Sequence, residues 1–337
     1  MLFLSDNSAA ICPEIMAAIA EVNSGPVLAY GDDPWTGRLD EALGAFFGTE
    51  VAAFALTTGT AANSLALATL SPPYGAIYCH PEAHIAVDEC SAPGFFTGGA
   101  QLERIGGAHG KLTAEALAAT LDAHVTTVHT VQPAAVSISQ ATERGTAYRP
   151  GEIATLCKVA HAHGLYVHMD GSRFANAVTF LGCRPGDVTW RSGVDVLSFG
   201  ATKNGALSAE AVVFFNRGLV RDFELRRKRA GHLLSKSRFV SAQLLAYVES
   251  GVWRRNAERA NALARSIGEA AGKRLLEPVE ANEVFVELGA DGKTSLRAAG
   301  FEFYDWGSPA SGEVRLVAAW DQDERHVEAL CAALTAM

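Results

Sequence analysis

Tyr166-Val167-His168-Met169-Asp170-Gly171-Ser172-Arg173 and Ser198-Phe199-Gly200-Ala201-Thr202-Lys203-Asn204-Gly205 are the two stretches on which the fold turns. Each follows or ends a short apolar run, and each passes through small residues to a charged side chain. Leu165–Met169 and Val194–Ser198 read as buried strands. Pro150–His163 has helical spacing and stops at Gly164, a good C-terminal stop. Working outward, Glu50–Leu56, Ala76–Cys79, Thr126–Val131, Val136–Ser139 and Glu210–Phe215 read as further strands. Ala61–Leu70 reads as a helix. Strands alternating with helices predict an α/β layered fold.

Beyond Ser237 the pattern changes. One long helix is expected over Ser237–Ala271. It is followed by strand Val284–Leu288, helix Lys293–Ala299, strands Glu302–Tyr304 and Glu313–Ala318, and helix Asp323–Leu334. This predicts two domains. Residues 1–240 form a large α/β domain with the N-terminal segment. Residues 241–337 form a small α+β domain bridged by the long helix. A length of 337 residues suits two domains.

Composition narrows the function classes. Half the residues are apolar (49%), enough for a large core. There are 28 Lys and Arg against 37 Asp and Glu, a net charge of −9. An acidic chain without a long basic block does not suit nucleic acid or anionic membrane. Arg226–Arg229 is too short to change that. No apolar run has membrane-spanning length, and Met1–Asp6 lacks a basic signal region. The six cysteines are scattered without a CxxC pair, which suits reduced thiols in a cytoplasmic protein. His161, His163 and His168 form no zinc signature, and no metal is expected.

Four features carry chemistry together. The turn Thr57–Thr60, between a strand and a helix, can hold an anion on free N–H groups. Without a ligand it reads equally as a helix cap. Asp170 ends an apolar strand, where open α/β sheets bind ligands. Lys203 sits among small residues after a buried strand, which suits a Schiff-base amine; the plain alternative is a surface lysine. His84 opens a helical stretch and could stack on a ring or move protons. Lys203 follows Asp170 by 33 residues, about one helix plus one strand. Adjacent strands would then present both side chains at one sheet edge. A carboxylate for a pyridinium nitrogen and an amine for an aldehyde are what pyridoxal 5'-phosphate (PLP) asks of its protein.

The chain resembles the threonine aldolases, within the fold type I class of PLP enzymes. The marks are Ser5-Asp6-Asn7, Tyr30-Gly31-Asp32-Asp33, Thr58-Gly59-Thr60-Ala61-Ala62-Asn63, His84, Asp170–Ala177 and Ser198–Asn204. The resemblance implies a mainly parallel sheet in the large domain, as in aspartate aminotransferase. It implies retro-aldol cleavage of β-hydroxy-α-amino acids such as threonine, allo-threonine or phenylserine to glycine and an aldehyde. Lys203 would carry the cofactor, Asp170 would keep its ring nitrogen protonated, and His84 would stack over the ring. Gly59 and Thr60 would hold the phosphate. Ser5, Arg173 and Arg315 would hold the substrate carboxylate, with Arg173 also bordering the cofactor. Tyr30, for substrate, and Lys228, for cofactor, would reach a neighbouring subunit's site. A homotetramer, a dimer of dimers with sites at the subunit interface, is implied.

Many family members carry a His in an Asn-Thr-His-Asn-Gly loop. Here that stretch reads Ala141-Thr142-Glu143-Arg144-Gly145, with Glu143 in the His position. His84 is the first expected base for the β-hydroxyl and Glu143 the second. Another fold type I PLP enzyme, an aminotransferase or β-eliminating lyase, is the alternative. A nicotinamide dehydrogenase lacks its GxGxxG here. A non-catalytic binding protein would have no need of an intact Asp170, Arg173 and Lys203.

Overall fold

The computed structural model describes residues 1–308 and 310–337. Seven strands form the main sheet: β1 (Ala52–Leu56), β2 (Gly75–Cys79), β3 (Gln101–Arg104), β4 (Gln132–Ser139), β5 (Tyr166–Gly171), β6 (Val196–Gly200) and β7 (Glu210–Phe214). Their order is β1-β7-β6-β5-β4-β2-β3. β3, β2, β4, β5 and β6 run parallel, while β7 is antiparallel to both β6 and β1. One strand is therefore reversed in a mainly parallel sheet.

Helices cover both faces, and the strand sequences show why. In β6, Leu197 and Phe199 face one core and Val196 the other; in β7, Ala211 and Val213 oppose Val212 and Phe214. This is the two-residue alternation of a pleated strand buried on both sides. One core is aromatic, with Phe199 against the rings of Phe46, Phe47, Phe174 and Tyr247. On the other face lies the helix Gly59–Leu70, rich in small apolar residues.

A second sheet, ordered β8-β10-β9, contains β8 (Glu283–Glu287), β9 (Tyr304–Asp305) and β10 (Glu313–Val317), all antiparallel. It shares a separate core with the helices Val252–Ala271 and Glu324–Thr335. The N-terminal segment joins that core through Phe3, and Leu2 bridges to Glu302.

Two sequence expectations fail for local reasons. Residues Thr126–Val131 form no strand. Thr130 gives its hydroxyl to the carbonyls of Val125 and Thr127 and accepts the Thr127 N–H. Hydroxyls that capture nearby backbone groups compete with strand pairing, and β4 begins only at Gln132. The single helix expected over Ser237–Ala271 is two, Arg238–Glu249 and Val252–Ala271. They part at Gly251, whose φ of +77° is left-handed and breaks the helix where glycine tolerates it.

Candidate active site

The functional side chains gather at the C-terminal ends of the central parallel strands. Strand register does most of the gathering. Ser139 at the end of β4 pairs with Asp170 of β5, and Asp170 pairs with Ser198 of β6. Beyond β6 the chain turns through a short helix, Thr202–Asn204, which carries Lys203. Asp170 and Lys203 therefore line one cavity, together with His84, Glu143 and Arg173. Among the described residues, the Lys203 ammonium has neither an ion-pair partner nor a hydrogen bond.

Asp170 is buried and fully engaged. Its Oδ1 accepts the Ser172 N–H (2.9 Å) and hydroxyl (2.8 Å), and its Oδ2 accepts Asn63 Nδ2 (2.8 Å). Burial pushes the carboxyl up, but the charges of His84 and Lys203 and the Ser172 bonds hold it below its ordinary value. Asn63 also donates to Glu89 Oε1 (2.8 Å), and the same oxygen meets His84 Nδ1 at 2.8 Å. A polar chain thus runs His84–Glu89–Asn63–Asp170. The Glu89 bond raises the His84 ring above its usual value, against the pull of burial.

Glu143 is half-buried beside this chain. Its Oε1 accepts the His84 backbone N–H (2.8 Å) and the Ser139 hydroxyl (2.6 Å). Its Oε2 is sealed from solvent with no hydrogen-bond partner among the described residues. Burial pushes this carboxyl up to about 7; the Asp170 charge adds to the shift, and the Ser139 and His84 bonds oppose it. The loop is pinned to the second sheet. Gly145 has φ +69°, and a Cβ there would stand 2.9 Å from the Glu283 carbonyl oxygen. Arg144 pairs with Glu277 (3.0 Å) and Glu313 (2.6 Å) and lies 4.6 Å from the centre of the Phe285 ring.

The turn Thr57–Thr60 opens the helix Gly59–Leu70, with Thr58 accepting the Ala61 N–H. The N–H groups of Gly59 and Thr60 belong to the first helical turn, which has no intrahelical acceptor. They border a cavity of about 230 Å³ with Thr202, Lys203, His84 and Glu210. Free N–H groups for a phosphate ester, an unpaired ammonium for an aldehyde and an ionised carboxylate for a ring nitrogen are together a donor set that fits PLP.

A wider vestibule of about 610 Å³ joins Lys203 and Glu143 to Ser5, Arg173, Arg315, Tyr304 and Trp306. Its two guanidiniums differ. Arg173 is bidentate to Asp6, with Nε at 2.8 Å and Nη2 at 2.9 Å, and its Nη1 lies 3.1 Å from Glu283. Asp6 is further held by Asn282 (2.9 Å). Arg315 is 3.5 Å from Glu283, stacks near Trp306, and keeps its Nε unpartnered. Tyr30 and Lys228 do not border these cavities. They pair with each other, Lys228 Nζ lying 4.5 Å from the Tyr30 ring centre, and Tyr30 is 51% exposed.

Asn63, Glu89, Glu210, Asp6 and Glu283 join this candidate site with no role expected from the sequence, where Asp6 and Asn63 stand only within quoted motifs. The available signal was Asn63-Ser64 inside an otherwise apolar, wholly buried helix segment. The histidines read together in the sequence have separate partners. His168 bonds Ser137 and Ser198, and His161 bonds Asp195.

Residues 3–291 match the family described as Beta-eliminating lyase. A low specificity L-threonine aldolase of Pseudomonas aeruginosa is 43% identical over 332 residues, covering 97% of this chain and 95% of that protein. A threonine aldolase structure from Leishmania major superimposes with a TM-score of 0.92 at 24% identity, covering 99% of this chain and 98% of that one. A structure of SPT with PLP reaches a TM-score of 0.73 at 18% identity, covering 100% of this chain and 86% of that one. At those identities the two structures carry the fold alone.

Proposed function

The chain belongs to the Beta-eliminating lyase family, and on that premise we propose that it is a PLP-dependent aldehyde-lyase of the threonine aldolase type. Its substrates are β-hydroxy-α-amino acids of the threonine, allo-threonine or phenylserine kind, and its products are glycine and an aldehyde. The observation that carries this reading is the shared cavity of Asp170, Lys203, His84 and Glu143.

Gly59 and Thr60 would hold the phosphate, Lys203 the aldehyde and Asp170 the protonated ring nitrogen. Bound there, PLP supplies an electron sink for the pair released when the Cα–Cβ bond breaks. Asp170, kept ionised by its donors, favours the proton on that nitrogen. Arg315, which lines the vestibule and keeps an unpartnered Nε, suits the substrate carboxylate, with Ser5 beside it. Arg173 borders the same vestibule, but Asp6 occupies its Nε and Nη2. Its part is to shape the carboxylate site from behind. Fixing the carboxylate fixes which Cα bond can break, and orientation is a large share of such a barrier.

The two expected bases exchange places. His84, bonded to Glu89, is raised in pKa, which weighs against it as the free base and leaves it the ring contact. Glu143, near 7 with an unpartnered oxygen, has the acidity that suits a general base at neutral pH. It takes the β-hydroxyl proton as the aldehyde forms.

Tyr30 and Lys228 are assigned to a neighbouring subunit's site, in a cytoplasmic homo-oligomer arranged as a dimer of dimers. Exposed Leu28, Leu207 and Leu225 supply apolar surface for such contacts. Sedimentation showing a monomer with full activity removes that part. The deciding experiment is product analysis with threonine, allo-threonine and phenylserine. Glycine with an aldehyde is expected. A 2-oxo acid and ammonia would instead mean a β-eliminating lyase, and dependence on an oxo-acid acceptor an aminotransferase.

A further inference from the structure

Glu210 is a buried carboxyl that the proposed chemistry leaves without work. It opens β7, the one reversed strand, and pairs in register with Leu56 of β1 and Gly200 of β6. Leu56 immediately precedes the Thr57–Thr60 turn. The Ser208 hydroxyl donates to the Thr57 carbonyl at 2.6 Å, tying the β6–β7 tip to that turn. Glu210 is 7% exposed and borders the same 230 Å³ cavity as Gly59, Thr60, Thr202 and Lys203. An acid thus stands at the place read here as the phosphate site.

Two like charges so close repel strongly where water is scarce. The charged and titratable groups around Glu210 are Lys203, Asp170 and Tyr247, with His84 and Glu89 across the cavity. Lys203 is the cation that offsets its charge, and Lys203 is the amine that cofactor binding consumes. Neutralising the acid removes the conflict and turns an acceptor into a donor.

We propose that Glu210 is a neutral carboxylic acid in the cofactor-loaded protein and donates a hydrogen bond to the PLP phosphate. Burial already pushes this carboxyl up to about 7, with Asp170 adding and Thr202 and Lys203 opposing. Cofactor uptake above that pH therefore takes up a proton at Glu210. A group whose pKa rises on binding favours the bound state at low pH, and that advantage fades as pH climbs through its free-protein value.

The inference rests on the PLP reading of the site, and the test separates the two. PLP dissociation constants are measured by fluorescence on apoprotein from pH 6 to 9, for the unaltered chain and for Glu210→Gln. Taking the ratio at each pH removes the pH dependence that the two proteins share. That ratio, unaltered over variant, is expected near one at pH 6 and to rise about tenfold per unit above pH 7. A ratio flat with pH overturns the inference while leaving the cofactor reading intact. Failure of the unaltered chain to bind PLP overturns the cofactor reading itself. If Glu210→Gln does not fold, infrared difference spectra of the unaltered chain on adding PLP at pH 8 decide. Gain of a protonated-carboxyl C=O band is expected, and its absence overturns the proposal.

Discussion

Asp170 and Glu143 are carboxyls of one cavity with opposite fates. Asp170 sits at the end of a central strand, with three donors on its two oxygens and two cations near it. Glu143 sits on a loop between the sheets, with two donors on one oxygen and none on the other. Burial acts on both in the same direction. The donors and cations decide the sign, so one stays an anion and the other sits near neutrality. Pairs of acids whose surroundings push them apart are how a protein divides fixed charge from proton transfer at one pH.

The largest effect expected from breaking this contrast is Asp170→Asn. It keeps the shape but removes the charge, and kcat should fall by more than about 10⁴-fold, beyond the usual span of a single proton-transfer group. PLP absorbance on the purified variant checks that the cofactor still binds. A loss under tenfold would mean the ring nitrogen is not the partner of Asp170. Next is Glu143→Gln, with an expected loss of about 10²–10⁴-fold in kcat. In the unaltered enzyme kcat/KM should rise with pH through about 7, because the base must be ionised. In the variant that limb should vanish. A limb that persists would return the role to His84. The smallest effect is that of Ser139→Ala. It removes a bond that stabilises the Glu143 anion, so the limb should move to higher pH, with the plateau rate within a few-fold of normal. A downward move would contradict the account of how Glu143 is tuned.

How much of this could be read from the chain follows from how local each signal is. Asp170 and Lys203 announce themselves as charged residues at the ends of apolar runs, and a parallel sheet puts such ends together by geometry alone. Gly59 and Thr60 belong to a helix start, which is also local. Asn63 meets Asp170 across 107 residues of sequence, and only the packing of its helix on the sheet makes that contact. Glu210 reads as the first residue of a strand until the order β1-β7-β6 sets it beside the Thr57–Thr60 turn. Arg173 is visible as a guanidinium after Asp170, but Asp6 and Glu283 come from the N-terminal segment and the second sheet. No spacing rule reports that its fork is already taken. The false strand at Thr126–Val131 shows the converse, since β-branched residues there spend their hydroxyls on their own backbone.

The pinning of the Ala141–Gly145 loop has a consequence for how such an enzyme can change over generations. Glu143 is steadied from below by the main sheet, through Ser139, and from above by the small one, through Arg144 and the Glu283 carbonyl beside Gly145. A C-terminal half exchanged for a foreign one of equal stability would still shift the acidity of the reacting group. The two halves of this chain are bound to drift together, as a lock and its own frame must.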